Sequence, residues 1–352
     1  MGPADGDDDG GGAIVPETLF FSAGSSESGY KEASVFVHDI SQRDGLDDAS
    51  ASGRGGFFLT PKQILLALVI PTTWGLGFAL AKVGMDQFPP LLLMSMRFAL
   101  AALVLIWFAK PPWGFMWRIF GIAAISATIQ YGFTFYGLKG IDASTAVIVV
   151  QLEAPFMALL AAVFLKDRLG WKRTIGMVLA FGGVAVIAGE PRLEDNLIYV
   201  GLVAIGAMTW AVGQVMVSQL REVRGPTLLA WVATFAAPQM FVASLLFESD
   251  QLQAVTQATW ADWGIVLYLA LVMTALAYSI WYNLLSTCAL SSLSPFLLLT
   301  PVTTVLFGVL ILDEVFTLPM TIGAVMVLAG VAATTINRRP RVDAVDKTVS
   351  EP

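Results

Sequence analysis

Residues 135–167 read FYGLKGIDASTAVIVVQLEAPFMALLAAVFLKD, and residues 281–313 read WYNLLSTCALSSLSPFLLLTPVTTVLFGVLILD. At a constant offset of 146, Tyr136 falls on Tyr282, Ala143 on Ala289, Leu152 on Leu298, Pro155 on Pro301 and Asp167 on Asp313. A shorter echo lies upstream, where Thr73-Trp74 meets Thr209-Trp210. Chance alignment of two Leu/Ala/Val-rich runs does not account for paired prolines or for the aromatic doublets Phe135-Tyr136 and Trp281-Tyr282. The chain reads as one unit written twice.

Composition says where that unit lives. The chain is 56% hydrophobic and only 13% charged, with a mean hydropathy of +0.73; a soluble domain carries about 25% charged residues. The acids are unevenly placed. Residues 1–56 hold eleven acids and three bases, so this tail accounts for the net charge of −7 and the remainder is close to neutral. A near-neutral membrane part gives nucleic acid nothing to bind. The tail is rich in Gly, Ser and Asp, its apolar islands are too short to form a core, and it reads as disordered. It lacks the basic start and apolar stretch of a signal peptide. The one histidine, His38, lies in the tail, and the one cysteine, Cys288, in a hydrophobic segment. A disulfide framework, a Cys/His metal cluster and histidine catalysis are therefore not expected, and no cofactor is.

A spanning helix needs roughly 20 mostly apolar residues. Breaking the chain at Pro, Gly and charge clusters predicts ten spans, at about 62–84, 89–109, 116–138, 142–166, 171–189, 196–220, 226–247, 262–287, 291–312 and 317–337. The fold expected is an all-α membrane protein. Residues 57–190 form a first five-helix repeat, 191–337 a second, and 338–352 a cytoplasmic tail. With the N-terminus inside, thirteen Lys/Arg fall in inner connections and three, Lys82, Lys139 and Arg192, in outer ones. That bias puts both termini in the cytoplasm. Five is odd, so the two repeats are inverted in the membrane, a construction that places a binding site at the midplane between them.

These stretches resemble the drug/metabolite transporter superfamily, in its ten-span EamA-type branch. The resemblance covers about 62–337. Its elements are TTWGLGFALAKVG in span one, MRFALAALVL in span two, and a phrase running from a proline through an apolar stretch to an acidic end. The phrase appears as APFMALLAAVFLKDRLGWKRTIGMVLAFGGVAVIAG and again as TPVTTVLFGVLILDEVFTLPMTIGAVMVLAGVAA. Asp313-Glu314 fits the acidic position of the family, whereas the first copy has Asp167-Arg168 there. The resemblance implies an inner-membrane carrier, often exporting amino acids or related metabolites, with a cavity between the halves.

Charges inside a span are costly and mark candidate functional groups. Arg97 lies eight residues past Pro89, about 12 Å along a helix, and Glu153 eleven past Asp142, about 16 Å. Both spans enter from the outside, so the two side chains fall at similar depth. Three readings of Glu153 stay open: a structural ion pair with Arg97, a ligand for the amino group of a zwitterionic substrate whose carboxylate meets Arg97, or a carrier of a coupling proton. Gln130, Tyr131, Phe133 and Thr134 in span three, Gln151 in span four, Gln214 in span six, Gln239 in span seven and Tyr278 in span eight supply polar and aromatic lining. Trp74 and Trp210 open the two halves. Such aromatics also serve as interface anchors. Pro155 and Pro301 each remove a backbone hydrogen bond in mid-span and read as packing kinks or as hinges. Glycines in spans one, five and ten allow close helix contact. GLGF lies inside a span and forms no phosphate loop.

The expected function is secondary active transport of a small metabolite, an amino acid or derivative, with export favoured, by alternating access and with protons as the candidate coupling ion. The alternative cargo is a nucleobase, vitamin, nucleotide-like metabolite or cationic drug. A membrane enzyme lacks the clustered groups it would need. The expected partners are the substrate and the lipid bilayer, and the fused halves favour a monomer.

Overall fold

A computed structural model describes residues 59–164, 170–190, 193, 196–220, 222–285, 287, 288, 293 and 296–335. The acidic tail with His38, the C-terminal tail, and Asp167 and Arg168 with most of their connection lie outside the described residues. Among the described residues every regular element is helical.

The chain runs through α1 (Pro61–Gln87), α2 (Pro90–Leu105), α3 (Met116–Gly140), α4 (Ala143–Val150), α5 (Glu153–Phe164) and α6 (Trp171–Ala188). It continues with α7 (Leu197–Ser218), α8 (Gly225–Phe247), the short α9 (Gln251–Gln257), α10 (Trp260–Leu285), α11 (Leu299–Leu312) and α12 (Leu318–Thr335). Eight stretches are long and apolar enough to cross a membrane, with α4 and α5 counted as one; α11 and α12 are shorter apolar helices. Helix α9 is an addition to the expected elements. Its neighbours fix its position, since Gln251 Nε2 donates to the Ser244 and Glu248 carbonyls and Gln87 Nε2 to that of Ala254.

Local chemistry sets the ends. Thr60 caps α1 in a capping box with Gln63, and Thr259 caps α10 in the same way with Asp262. Two helix starts are capped from elsewhere in the fold. Glu248 accepts from the amides of Leu91 and Leu92 at 2.8 and 3.1 Å, and Glu314 accepts from Ala143, from Ser144 N at 3.0 Å and from the Ser144 hydroxyl. A carboxylate at a helix N-terminus meets free N–H groups and the positive end of the dipole. Beside Glu314, Lys82 Nζ donates to the carbonyls of Leu138, Lys139 and Ile141 at 2.8–3.0 Å. The 138–144 corner is thus held by α1 and by the end of α11.

Close helix crossings follow the glycines. A Cβ on Gly176 of α6 would lie 2.7 Å from the Gly330 carbonyl of α12, and one on Gly183 would lie 2.6 Å from that of Gly323. Position 176 meets 330 while 183 meets 323, so the two helices cross antiparallel with backbones in contact. The α2–α8 crossing is also antiparallel: Ser95 Oγ donates to the Ala237 carbonyl at 2.9 Å, and Leu91 meets Glu248. So are α1 with α10, through Gly77 on Met273 and Gly84 on Ile265, and α3 with α7, through Gly137 on Val203 and Gly213 on Ser126. Large apolar side chains remain on the outer surface, among them Leu103, Val178, Val242 and Val325. Exposed Trp107, Trp113, Trp117 and Trp171 flank helix ends, as interface aromatics do. This is a multi-pass membrane protein.

The expected fourth and ninth spans are both interrupted. Helix α4 stops at Val150, Gln151 and Leu152 form a turn, and α5 starts at Glu153; α11 starts at Leu299 after a turn at Leu298. Pro155 and Pro301 are each the third residue of the helix that follows. A proline ring clashes with the carbonyl four residues back, which for Pro155 is that of Gln151, the residue at the break. The Gln151 carbonyl turns aside and accepts from Ala154 N at 3.3 Å.

Candidate functional site

Arg97 sits on α2 with 1% of its surface exposed. Its Nε donates to Thr274 Oγ1 at 2.8 Å, and Nη1 lies 3.7 Å from Met94 Sδ. The guanidinium carbon is 5.1 Å from the Tyr131 ring centroid and 5.4 Å from that of Phe98. An arginine at the centre of a spanning helix costs about 2.5–3.5 kcal/mol on insertion scales. A hydrogen bond on a charged donor returns about 1.5–3 kcal/mol, and each cation–π contact about 0.5–2 kcal/mol. Neutral partners therefore suffice to keep this cation inside.

Glu153 is not one of those partners. An Arg97–Glu153 ion pair was one of three readings left open by equal depth, and it does not form here: Nε of the guanidinium bonds Thr274 of α10, its faces meet Tyr131 of α3 and Phe98 of α2, and no ion pair joins the two residues. Glu153, the first residue of α5, has no hydrogen-bond partner among the described residues. It is half-buried, yet protein surrounds it on every side. Tyr278 of α10 combines the same two properties. Tyr278 lies within electrostatic reach of Arg97, Glu153, Tyr131 and Tyr282. These five side chains, from α2, α3, α5 and α10, make up the candidate chamber: a cation, an anion and three phenols.

Trp74 closes another side of it. Its indole packs on Tyr278 with ring centroids 5.3 Å apart, and its Nε1 donates to the Met273 carbonyl at 3.2 Å. Tyr278 in turn stands 6.4 Å from Tyr282, and Tyr131 stacks on Phe135 at 5.5 Å.

Other residues named from the sequence go elsewhere. Thr134 is buried where α3 meets Gly206 of α7, and Gln130 Nε2 donates to it at 3.2 Å, while Gln130 Oε1 is buried without a partner. Gln239 accepts from Thr128 Oγ1 at 2.8 Å and donates to the Phe120 carbonyl at 3.2 Å. Phe133, Gln151, Gln214 and Trp210 are half-buried, and no hydrogen bond or ring contact joins them to the Arg97 group. Trp210 repeats Trp74 in sequence without its aromatic neighbour. The sequence reading missed Thr274, Phe98, Lys82 and the capping role of Glu314. Thr274 had a signal: at the repeat offset it falls on Thr128. Among the described residues no group of three His, Cys, Asp or Glu side chains could hold a metal. A separate polar cleft of about 540 Å³ opens between Gln87–Pro90, Tyr136, Lys139 and Glu248–Gln257. It shares no residue with the chamber.

The sequence pattern of the EamA-like transporter family matches residues 61–189 and matches a second time over 197–336. The chain belongs to that family. A protein of Escherichia coli (strain K12), described as a probable amino-acid metabolite efflux pump, is 30% identical over 282 residues, covering 77% of this chain and 94% of that protein. Its counterpart in Salmonella typhimurium, with the same description, is 31% identical over 282 residues at the same coverage. An uncharacterized transporter of Archaeoglobus fulgidus is 28% identical over 277 residues. A solved crystal structure shares the fold at a TM-score of 0.54 and 19% identity, covering 79% of this chain and 97% of the other. This EamA-like protein is a membrane transporter of a small molecule and not an enzyme.

Proposed function

We propose that this EamA-like protein is a secondary active transporter that exports an amino acid or a derivative by alternating access around the Arg97–Glu153 chamber. One observation carries the reading: Arg97 and Glu153, of opposite charge, both act electrostatically on Tyr278 and yet form no ion pair with each other. A free amino acid brings the complementary pair, a carboxylate for Arg97 and an ammonium for Glu153. Aromatic walls at Trp74, Tyr131 and Tyr278 suit the apolar part of such a molecule. The relatives described as amino-acid metabolite efflux pumps point the same way.

The architecture proposed is ten spans in two inverted five-helix repeats, 57–190 and 191–337, in the inner or plasma membrane with both termini cytoplasmic and a monomer as the working unit. The double family match, the four antiparallel crossings and the equivalent helix breaks before Pro155 and Pro301 support it. Those breaks are the proposed hinges for rocking one half against the other. Glu153 also serves as the proposed site of a coupling proton.

The test is an untargeted comparison of metabolites in cells with and without the protein, followed by counterflow of the altered compounds in proteoliposomes. Saturable counterflow of an amino acid or derivative is expected. Flux that never saturates makes the protein a channel. Saturable flux confined to nucleobases, vitamins, nucleotide-like compounds or cationic drugs replaces the cargo and keeps the mechanism.

A further inference from the structure

Thr274 is 1% exposed and lies in the Tyr268–Leu276 segment of α10, which is π-helical. A hydroxyl has one proton and two lone pairs. Thr274 gives its proton to the Leu269 carbonyl at 2.8 Å, five residues back along the helix. Ordinary helical threonines reach three or four residues back, as Thr72, Thr209, Thr234 and Thr321 do here. The widened π turn, a form often found at functional sites, thus changes where this hydroxyl points. With its proton committed to α10, Thr274 presents only lone pairs to α2, and Arg97 Nε occupies one of them. Tyr131 and Phe98 cover the guanidinium faces and Met94 meets Nη1. Nothing among the described residues accepts from Nη2.

We propose that Thr274 is a positioning residue: by holding Nε of Arg97 it aims the free end of the guanidinium into the chamber, and so sets the preference of the site for a substrate carboxylate. The proposal rests on the zwitterion reading above and goes beyond it, because it assigns discrimination to a residue that touches no substrate. Thr128, at the matching position of the π segment Ala124–Ile129, donates its proton to Gln239 and so has a different hydrogen-bonding role.

The experiment compares purified wild type, Thr274→Val and Thr274→Ser in proteoliposomes, with L-phenylalanine and its decarboxylated analogue phenethylamine as probes. Valine keeps the shape and removes the acceptor. The KM for L-phenylalanine is expected to rise roughly ten-fold, the scale of one hydrogen bond to a charged group. Vmax and the inhibition constant of phenethylamine should stay within about two-fold, a split that a purely structural role would not produce. Thr274→Ser should restore the wild-type constants, and Thr274→Cys, a weaker acceptor, should fall between and replaces the valine variant if that one does not fold. Equal change for both probes, or loss of Vmax alone, overturns the assignment. A wild type that does not favour L-phenylalanine over phenethylamine overturns the zwitterion reading and Thr274 with it. A wild type that discriminates, beside a valine variant that discriminates equally well, overturns Thr274 alone.

Discussion

Two π-helical segments lie at matching positions in the chain, Ala124–Ile129 in α3 and Tyr268–Leu276 in α10, and each meets a polar side chain from another helix. In α10, Thr274 receives Arg97 of α2; in α3, Thr128 donates to Gln239 of α8. The two threonines are 146 positions apart, the same offset that aligns Pro155 with Pro301. The backbone irregularity and its threonine are common to both crossings, and the charge is not. Gln239 engages both ends of its amide on α3, at Thr128 and the Phe120 carbonyl, and keeps a single N–H without a partner among the described residues. Arg97 spends part of its guanidinium on neutral partners and keeps the remainder, together with its whole charge. A polar contact inside a membrane protein can therefore be part of the scaffold or part of the chemistry. The number of unspent donors separates the two.

The largest expected effect tests that division directly. Replacing Arg97 by methionine should lower counterflow about 100-fold or more, because it removes the charge on which the carboxylate docks, whereas Gln239→Met should cost about ten-fold at most. Equal losses, measured at equal amounts of folded protein in proteoliposomes, would sink the distinction. Glu153→Gln comes next. It should abolish accumulation against a gradient while leaving exchange counterflow intact, and a glutamine variant that still concentrates substrate would remove Glu153 as the proton carrier. Double replacement of Arg97 and Glu153 by apolar residues should not restore expression beyond the better single variant, since the two are not paired; a full rescue would show a direct pair in another state of the cycle.

Smaller effects should come from parts of the scaffold. Glu314→Gln leaves the α4 amides facing a neutral acceptor and should lower thermal stability in detergent by a few degrees, on the scale of about 1–2 kcal/mol for a cap. An unchanged melting temperature would mean that the cap is replaced by water. Pro155→Ala and Pro301→Ala should each slow transport two- to five-fold by closing the turn before the helix, an order-of-magnitude expectation for loss of a helix break. An unchanged rate at either position removes that proline as a hinge.

Much of the fold was legible in the order of residues. Ala-, Leu- and Val-rich runs of spanning length have one stable form in lipid, where every backbone group must bond within its own segment. The breaks at Phe88-Pro89-Pro90 and Arg224-Gly225-Pro226 mark helix boundaries because Pro90 and Pro226 sit in the first turn of a helix, where the missing N–H has no intrahelical partner to lose. Other features were not legible. The fourth and ninth runs read as continuous spans, whereas each has a turn just before the helix that carries Pro155 or Pro301; Pro71 and Pro238 lie inside unbroken helices, so a proline alone does not announce such a turn. The site was half legible. Burial cost singled out Arg97 and Glu153, and Tyr131, Trp74 and Tyr278 do meet around them, but equal depth said nothing about which faces of the helices oppose each other. Thr134 and Gln130 had the right chemistry for a lining and went to the α7 contact, since Gly206 there leaves room for no larger neighbour.

The sequence by itself determined that this protein is a helical membrane transporter, with two opposite charges, Arg97 and Glu153, inside its apolar runs. Local chemistry is enough for that, because hydropathy, proline and repeat spacing act along the chain. Only the tertiary structure decided who meets whom: Arg97 with Thr274 and Tyr131 instead of Glu153, and Glu314 on the start of α4. Those pairings depend on the rotation of each helix about its axis. Glycine contacts and π turns set that rotation across distances that the sequence order does not record.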